Sequence, residues 1–324
     1  MSSMADQHQQ HSTSVSIACI FITAVFVLTS VRAQNLVGLT LLSPVSTLIH
    51  PGAVCLDGSL PGYHLEKGHG TGKHSWLVHL EGGGWCSTVK ECMSRAKTAR
   101  GSSSFMGPIP FDGHLSNSSL HNPGFYNWNR VMVRYCDGAS FSGNVEEPAF
   151  RTSFPQIRTK PLFFRGQRVW DAVVEELLTQ QGMRHATQVI LSGDSAGGLA
   201  AFHHCNDLNN KMPHINATLK CLLDGALFLD IPTISGVKVI RNLFQSVTTL
   251  HNVTILPRTC TSYQNLGKCF FPQYNLHTIN VPMFFLQSSY DSWQTALEAF
   301  TKWYFEEQAI QNIDCKFPCN KTCK

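Results

Sequence analysis

Charge is scarce in this chain: Asp, Glu, Lys and Arg make up 14% of 324 residues and leave a formal net charge of +4. No Lys/Arg cluster and no basic–aromatic stripe occurs, which removes the electrostatic footprint of a nucleic-acid binder. A weakly positive surface suits a polyanionic glycan instead. Beyond residue 31 no segment is apolar for long enough to span a bilayer, so no stable membrane association is expected. No repeat period and no linker composition breaks the sequence, and its length is ample for one domain with a sizeable core. Histidine, present 15 times, does not occur after His277.

Against these absences, the N-terminus carries one apolar run, residues 14–31, followed by Arg32-Ala33 before Gln34. This pattern predicts a secretory signal peptide over residues 1–33 and a mature domain over 34–324. The lack of Lys or Arg ahead of the run leaves an uncleaved signal anchor as the alternative. Cysteine usage agrees with export. Of 12 cysteines, Cys19 lies in the signal and the odd remainder implies a disulfide framework with one thiol unpaired. Close spacing favours Cys86–Cys92 and Cys260–Cys269 as pairs, although connectivity cannot be fixed from sequence. Cys315, Cys319 and Cys323 have no suitable His beside them, so no metal and no cofactor is expected. Acceptor sequons at Asn117, Asn216, Asn252 and Asn320 mark surface loops of a glycoprotein.

The most informative stretch is Val189-Ile190-Leu191-Ser192-Gly193-Asp194-Ser195-Ala196-Gly197-Gly198. An apolar run, then Gly-x-Ser-x-Gly, then a helix-compatible run is the pattern of a nucleophile elbow with Ser195 at its apex. Upstream, the alternating run 75–80 predicts a strand that empties into Gly82-Gly83-Gly84. Consecutive glycines there free backbone N–H groups to face a common point. Gly83 and Gly84, with Ala196 after the nucleophile, are the candidate oxyanion donors. Further strands are predicted at 129–135, 188–192, 221–228 and 281–287, and helices at 168–180, 196–207, 237–250 and 295–308, with 51–71 a winding surface segment. This alternation predicts an α/β fold: a mostly parallel sheet with helices on both faces. Asp137, at a strand's carboxyl end, reads either as a ligand-facing acid or as a turn cap.

The segments 76–86, 126–138, 192–198, 269–274, 290–294 and 313–315 resemble the plant pectin acetylesterases, relatives of the Notum carboxylesterases. The likeness covers roughly residues 36–324. It implies an α/β-hydrolase-like, disulfide-stapled single domain, with Ser195 as nucleophile and Asp291 as the acid that orients a histidine. The implied substrate is O-acetylated pectin, an acidic polysaccharide, and the implied setting is extracellular, in the cell wall. The chain is expected to act as a monomer.

Two departures accompany the likeness. Asp194 stands where the family usually has Cys. More seriously, the order Ser, acid, His along the chain requires a His after Asp291, and there is none. The family segment that carries it is absent between Gln294 and Thr295. His203, His204, His251 and His277 are the substitutes to weigh, and Asp224 is the rival acid. Without a base, the expected alternative to an esterase is a catalytically impaired, shortened form that binds acidic glycan weakly. A lipid-ester hydrolase of the Notum type is a third reading.

Overall fold

The computed structural model describes residues 36–148, 161–233, 235–287 and 300–306. Residues from Val37 onward cluster as one compact unit. Its frame is a seven-stranded sheet: β1 (Leu39–Leu41), β2 (Gly62–Glu66), β3 (Ser75–Leu80), β4 (Asn129–Val133), β5 (Gln188–Asp194), β6 (Thr218–Asp224) and β7 (Met283–Leu286). The spatial order is β1-β2-β4-β3-β5-β6-β7. β1 and β2 join antiparallel, and β2 joins β4 antiparallel; every later pairing is parallel.

Alternation along the strands divides the core in two. Trp76, Val78 and Leu80 of β3 face the same way as Val189 and Leu191 of β5 and Leu223 of β6. On that side the sheet packs against α1 (Gly166–Thr179) and α2 (Ala196–Asn210). The apolar stripe of α1, Val169, Trp170, Val173 and Leu177, is what the sheet buries. On the opposite face Leu77, Ile190 and Leu222 meet Phe125, Trp128, Phe300 and Tyr304, the last two from the helical residues 300–304. Helices on both faces of a mostly parallel sheet agree with the sequence-based expectation. A third helix, α3 (Val239–Leu250), lies near the predicted bounds.

Four disulfides occur among the described residues: Cys55–Cys136, Cys86–Cys92, Cys205–Cys221 and Cys260–Cys269. Both pairs favoured by spacing form. Cys205–Cys221 ties α2 to β6, the strand that pairs with β5. The signal segment, the tail cysteines and Asn320 lie outside the described residues.

Two expectations need correction. Residues 51–71 are not wholly a surface segment, because β2 is inside the sheet with Tyr63 and His64 fully buried. The Tyr63 hydroxyl donates to Glu176 Oε1 at 2.9 Å, which meets the polar requirement that the Gly/Pro/His-rich composition suggested water would meet. The strand predicted at 221–228 starts earlier and ends at Asp224.

Candidate active site

β5 and α2 meet at a single residue. Ser195 has φ 51° and ψ −118°, a backbone state that side chains other than glycine seldom adopt. Its own N–H is tied to the Asp224 carbonyl at 2.8 Å, so the kink is anchored to β6. The flanking glycines are there for closeness. A Cβ on Gly197 would fall on the Leu80 carbonyl oxygen, and one on Gly193 would fall on the Gly197 carbonyl. Ser195 is exposed, between half-buried Asp194 and buried Ala196, and its Oγ makes no hydrogen bond among the described residues.

The triple-glycine loop leaves β3 beside this kink. Gly83 (φ 142°) and Gly84 (φ 65°) both occupy positive-φ conformations. Their carbonyls are held away: Arg95 Nη1 donates to Gly83 O and the Tyr135 hydroxyl donates to Gly84 O, each at 2.9 Å. Ala196 is treated the same way, its carbonyl accepting from Ser140 Oγ at 2.7 Å. With the carbonyls committed, the N–H groups of Gly83, Gly84 and Ala196 have no acceptor among the described residues. Unpaired amides on a loop and at a helix N-terminus are suited to a developing oxyanion. Ser140 also receives Trp85 Nε1 at 2.8 Å, so one hydroxyl links the loop to the helix start.

The acids and bases distribute unevenly. Asp137 is buried and its carboxylate accepts the N–H groups of Ala139 and Phe141 at 3.0 and 3.1 Å, the turn-cap option. Burial pushes its carboxyl up to about 6 even though these amides pull it down. Asp224, the rival acid, ends β6 one strand from the elbow. Asp291 lies outside the described residues.

Asp194 Oδ1 accepts from Gly82 N at 2.9 Å and contacts His79 Nε2 at 3.1 Å. Burial works against its charge, but these hydrogen bonds prevail and hold the carboxyl below its ordinary value. His79 Nδ1 meets Ser192 Oγ and His114 Nε2, both at 3.0 Å. Burial, then the neighbouring His79, drives His114 down to about 3. A cavity of about 590 Å³ opens here, lined by His79, His114, Asp112, Asp194, Asp224, Leu115 and Met132.

Three of the histidines proposed as substitutes are bonded to backbone carbonyls away from Ser195. His203 Nε2 bonds Phe270 O at 3.2 Å, and His204 Nε2 bonds Phe141 O at 3.0 Å while stacking on Trp170. His251, at the end of α3, donates from Nε2 to Cys86 O at 2.9 Å. His251 also lies beside the sulfurs of Cys86 and Cys92, but these are bonded to each other and offer a metal no thiolate. His277 sits in a short 3-10 turn before β7.

The sequence and the fold have counterparts in known proteins. A family model described as pectinacetylesterase matches residues 31–298. The chain belongs to the pectinacetylesterase family. Pectin acetylesterase 5 of Arabidopsis thaliana is 47% identical over 75% of this chain and 55% of its own length. Pectin acetylesterase 4 of the same plant is 45% identical, over 82% of this chain and 62% of its own length. The mouse palmitoleoyl-protein carboxylesterase NOTUM is 27% identical over 78% of this chain and 50% of its own length. The chain thus spans little more than half the length of the curated relatives it matches. In fold, it is similar to the Wnt deacylase Notum from Drosophila, with a TM-score of 0.66 at 24% identity, covering 84% of this chain and 81% of the other.

The kink at Ser195 and the positive-φ turn at Gly83 and Gly84 lie where the sequence pattern put them, while the contacts of Tyr135, Ser140, Arg95 and His79 around them went unanticipated. Only His79 left a signal: alternation along 75–80 places it on the face opposite Trp76, Val78 and Leu80.

Proposed function

We propose that this chain is a secreted carboxylesterase of pectin acetylesterase type, acting on acetyl esters of cell-wall pectin. In this reading Ser195 Oγ attacks the acetyl carbonyl. The amides of Gly83, Gly84 and Ala196 receive the charge that develops on the carbonyl oxygen, and Asp291 orients the base. The observation that carries it is the set of uncommitted N–H groups beside a strained, exposed serine. The modest positive charge of the chain favours a carboxylate-bearing glycan over a neutral one.

A second reading has its own support. A serine hydroxyl needs a base to take its proton during attack. The rings of His203, His204 and His251 are each bonded to a backbone carbonyl elsewhere, and no His follows Asp291. Losing the base of a serine hydrolase costs on the order of 10⁶ in turnover. The impaired form is therefore a nucleophile and cradle with residual turnover. Acetate release from acetylated pectin by the wild type and by Ser195→Ala separates the two readings. Release well above the variant's supports the esterase; equal release removes it and leaves the impaired glycan binder.

A further inference from the structure

Asp194, the middle residue of Gly-x-Ser, has a task that neither the strained turn nor the loop glycines perform. The β3–β5 register sets His79 opposite Ser192, and alternation puts Asp194 on the same face two residues on. The outcome is a chain of polar contacts that runs from the interior to the loop: His114 Nε2 and Ser192 Oγ to His79 Nδ1, His79 Nε2 to Asp194 Oδ1, and Asp194 Oδ1 to Gly82 N. With the proton on Nε2, His79 donates to the carboxylate, and its one Nδ1 lone pair is available to Ser192 Oγ or His114 Nε2.

The carboxylate side chain is 47% exposed, yet its inner oxygen is fixed by two donors. Bonds to an ionised acceptor are about twice as strong as neutral ones. Approach is also as close as the backbone permits, because a Cβ on Gly82 would fall on the Asp194 carboxylate.

We propose that Asp194 is a positioning residue whose carboxylate, braced by His79, Ser192 and His114, fastens the start of the triple-glycine loop to the elbow. The loop's amides and that of Ala196 then converge on one acyl oxygen. The inference rests on reading that loop as the oxyanion cradle. It requires of residue 194 an acceptor at the Oδ1 position, which Asn supplies and Ala does not.

The test is amide hydrogen exchange over residues 81–85 in the full chain, for wild type, Asp194→Asn and Asp194→Ala, with turnover of an activated acetyl ester measured in parallel. The alanine variant is expected to exchange about tenfold faster at Gly82. Its Ser195-dependent kcat falls about tenfold or more while KM stays within about twofold. The asparagine variant stays near wild type in both. Wild-type exchange in the alanine variant overturns the proposal, as does an asparagine variant that exchanges as fast as alanine. If the alanine variant does not melt cooperatively, the asparagine variant decides: protection kept supports the clamp, and a tenfold loss refutes it. Should wild-type turnover equal that of Ser195→Ala, the esterase reading fails, and the exchange comparison still decides the clamp.

Discussion

Replacing Tyr135 by Phe removes one oxygen and should loosen the turn at Ser140 and its tie to Gly84. That oxygen accepts the Ser140 N–H at 2.9 Å and donates to the Gly84 carbonyl at 2.9 Å. Ser140 and Phe141 both have positive φ, 55° and 54°, in a buried turn. Two such residues in succession persist only where contacts impose them, and here the contacts are the Tyr135 phenol and the Asp137 carboxylate. Burial raises the phenol's pKa, so it remains a donor at any working pH. The ring itself packs on Phe141, centroids 5.3 Å apart, and under the Arg95 guanidinium at 4.8 Å. Phe keeps both contacts, so the substitution isolates the hydroxyl.

The buried Ser140 N–H then has no acceptor, at a cost of about 1–3 kcal/mol. The Gly84 carbonyl is half-buried and recovers part of its loss from water, leaving about 0.5–1 kcal/mol. Together the variant should lose about 1.5–4 kcal/mol, read as a lower urea midpoint at unchanged slope. Hydrogen exchange at residues 138–141 should rise with it. A loss under about 0.5 kcal/mol, the size of an ordinary surface substitution, would refute the claim that this hydroxyl holds the turn.

Further consequences concern pH, the elbow and the disulfides. Burial is the main reason His251 is lowered to about 4 and His114 to about 3, so the unfolded chain binds more protons than the fold between these values and about 6.5. Their stabilising contribution is complete above about 6.5 and is lost as pH falls; at pH 5 each costs about 2 kcal/mol. Asp137, raised to about 6, takes up a proton in the fold and returns about 1 kcal/mol. His203, which burial also lowers to about 3, costs a similar amount, so denaturant titrations at pH 7 and 5 should differ by about 5 kcal/mol, and equal or greater stability at pH 5 contradicts this. Gly197→Ala should cost more than about 2 kcal/mol, because its Cβ meets backbone rather than a movable side chain; a wild-type Tm would show that the approach is not tight. Opening Cys55–Cys136, which spans 81 residues, should cost about 4–5 kcal/mol, against about 3 for Cys205–Cys221, which spans 16. Melting of the two double-serine variants in the opposite order would contradict the loop-entropy account.

Local pattern carried most of what sequence disclosed. The elbow, the glycine loop, α1 and the parallel strands rest on contiguous residues whose period or steric demand is visible along the chain. Strand β2 escaped because its polar residues are satisfied by distant partners, Tyr63 by Glu176 and His64 by Arg134. The supports of the cradle escaped for the same reason: Ser140 and Ala196 stand 56 residues apart, and His79 and Asp194 stand 115 apart. Nothing in the local sequence marks such pairings. Sheet register makes His79 and Asp194 adjacent, and the packing of loop and helix on the sheet brings the other pairs together.

The central claim is that the kink at Ser195 presents its hydroxyl to an acyl carbonyl within an amide cradle. Peptide mass spectrometry after incubation with an activated acetyl ester tests it most directly, because acylation registers even where turnover is slow. The account predicts one acetyl group on the peptide that contains Ser195, and none on that peptide in Ser195→Ala. Acetylation spread over surface lysines with Ser195 unmodified would contradict it.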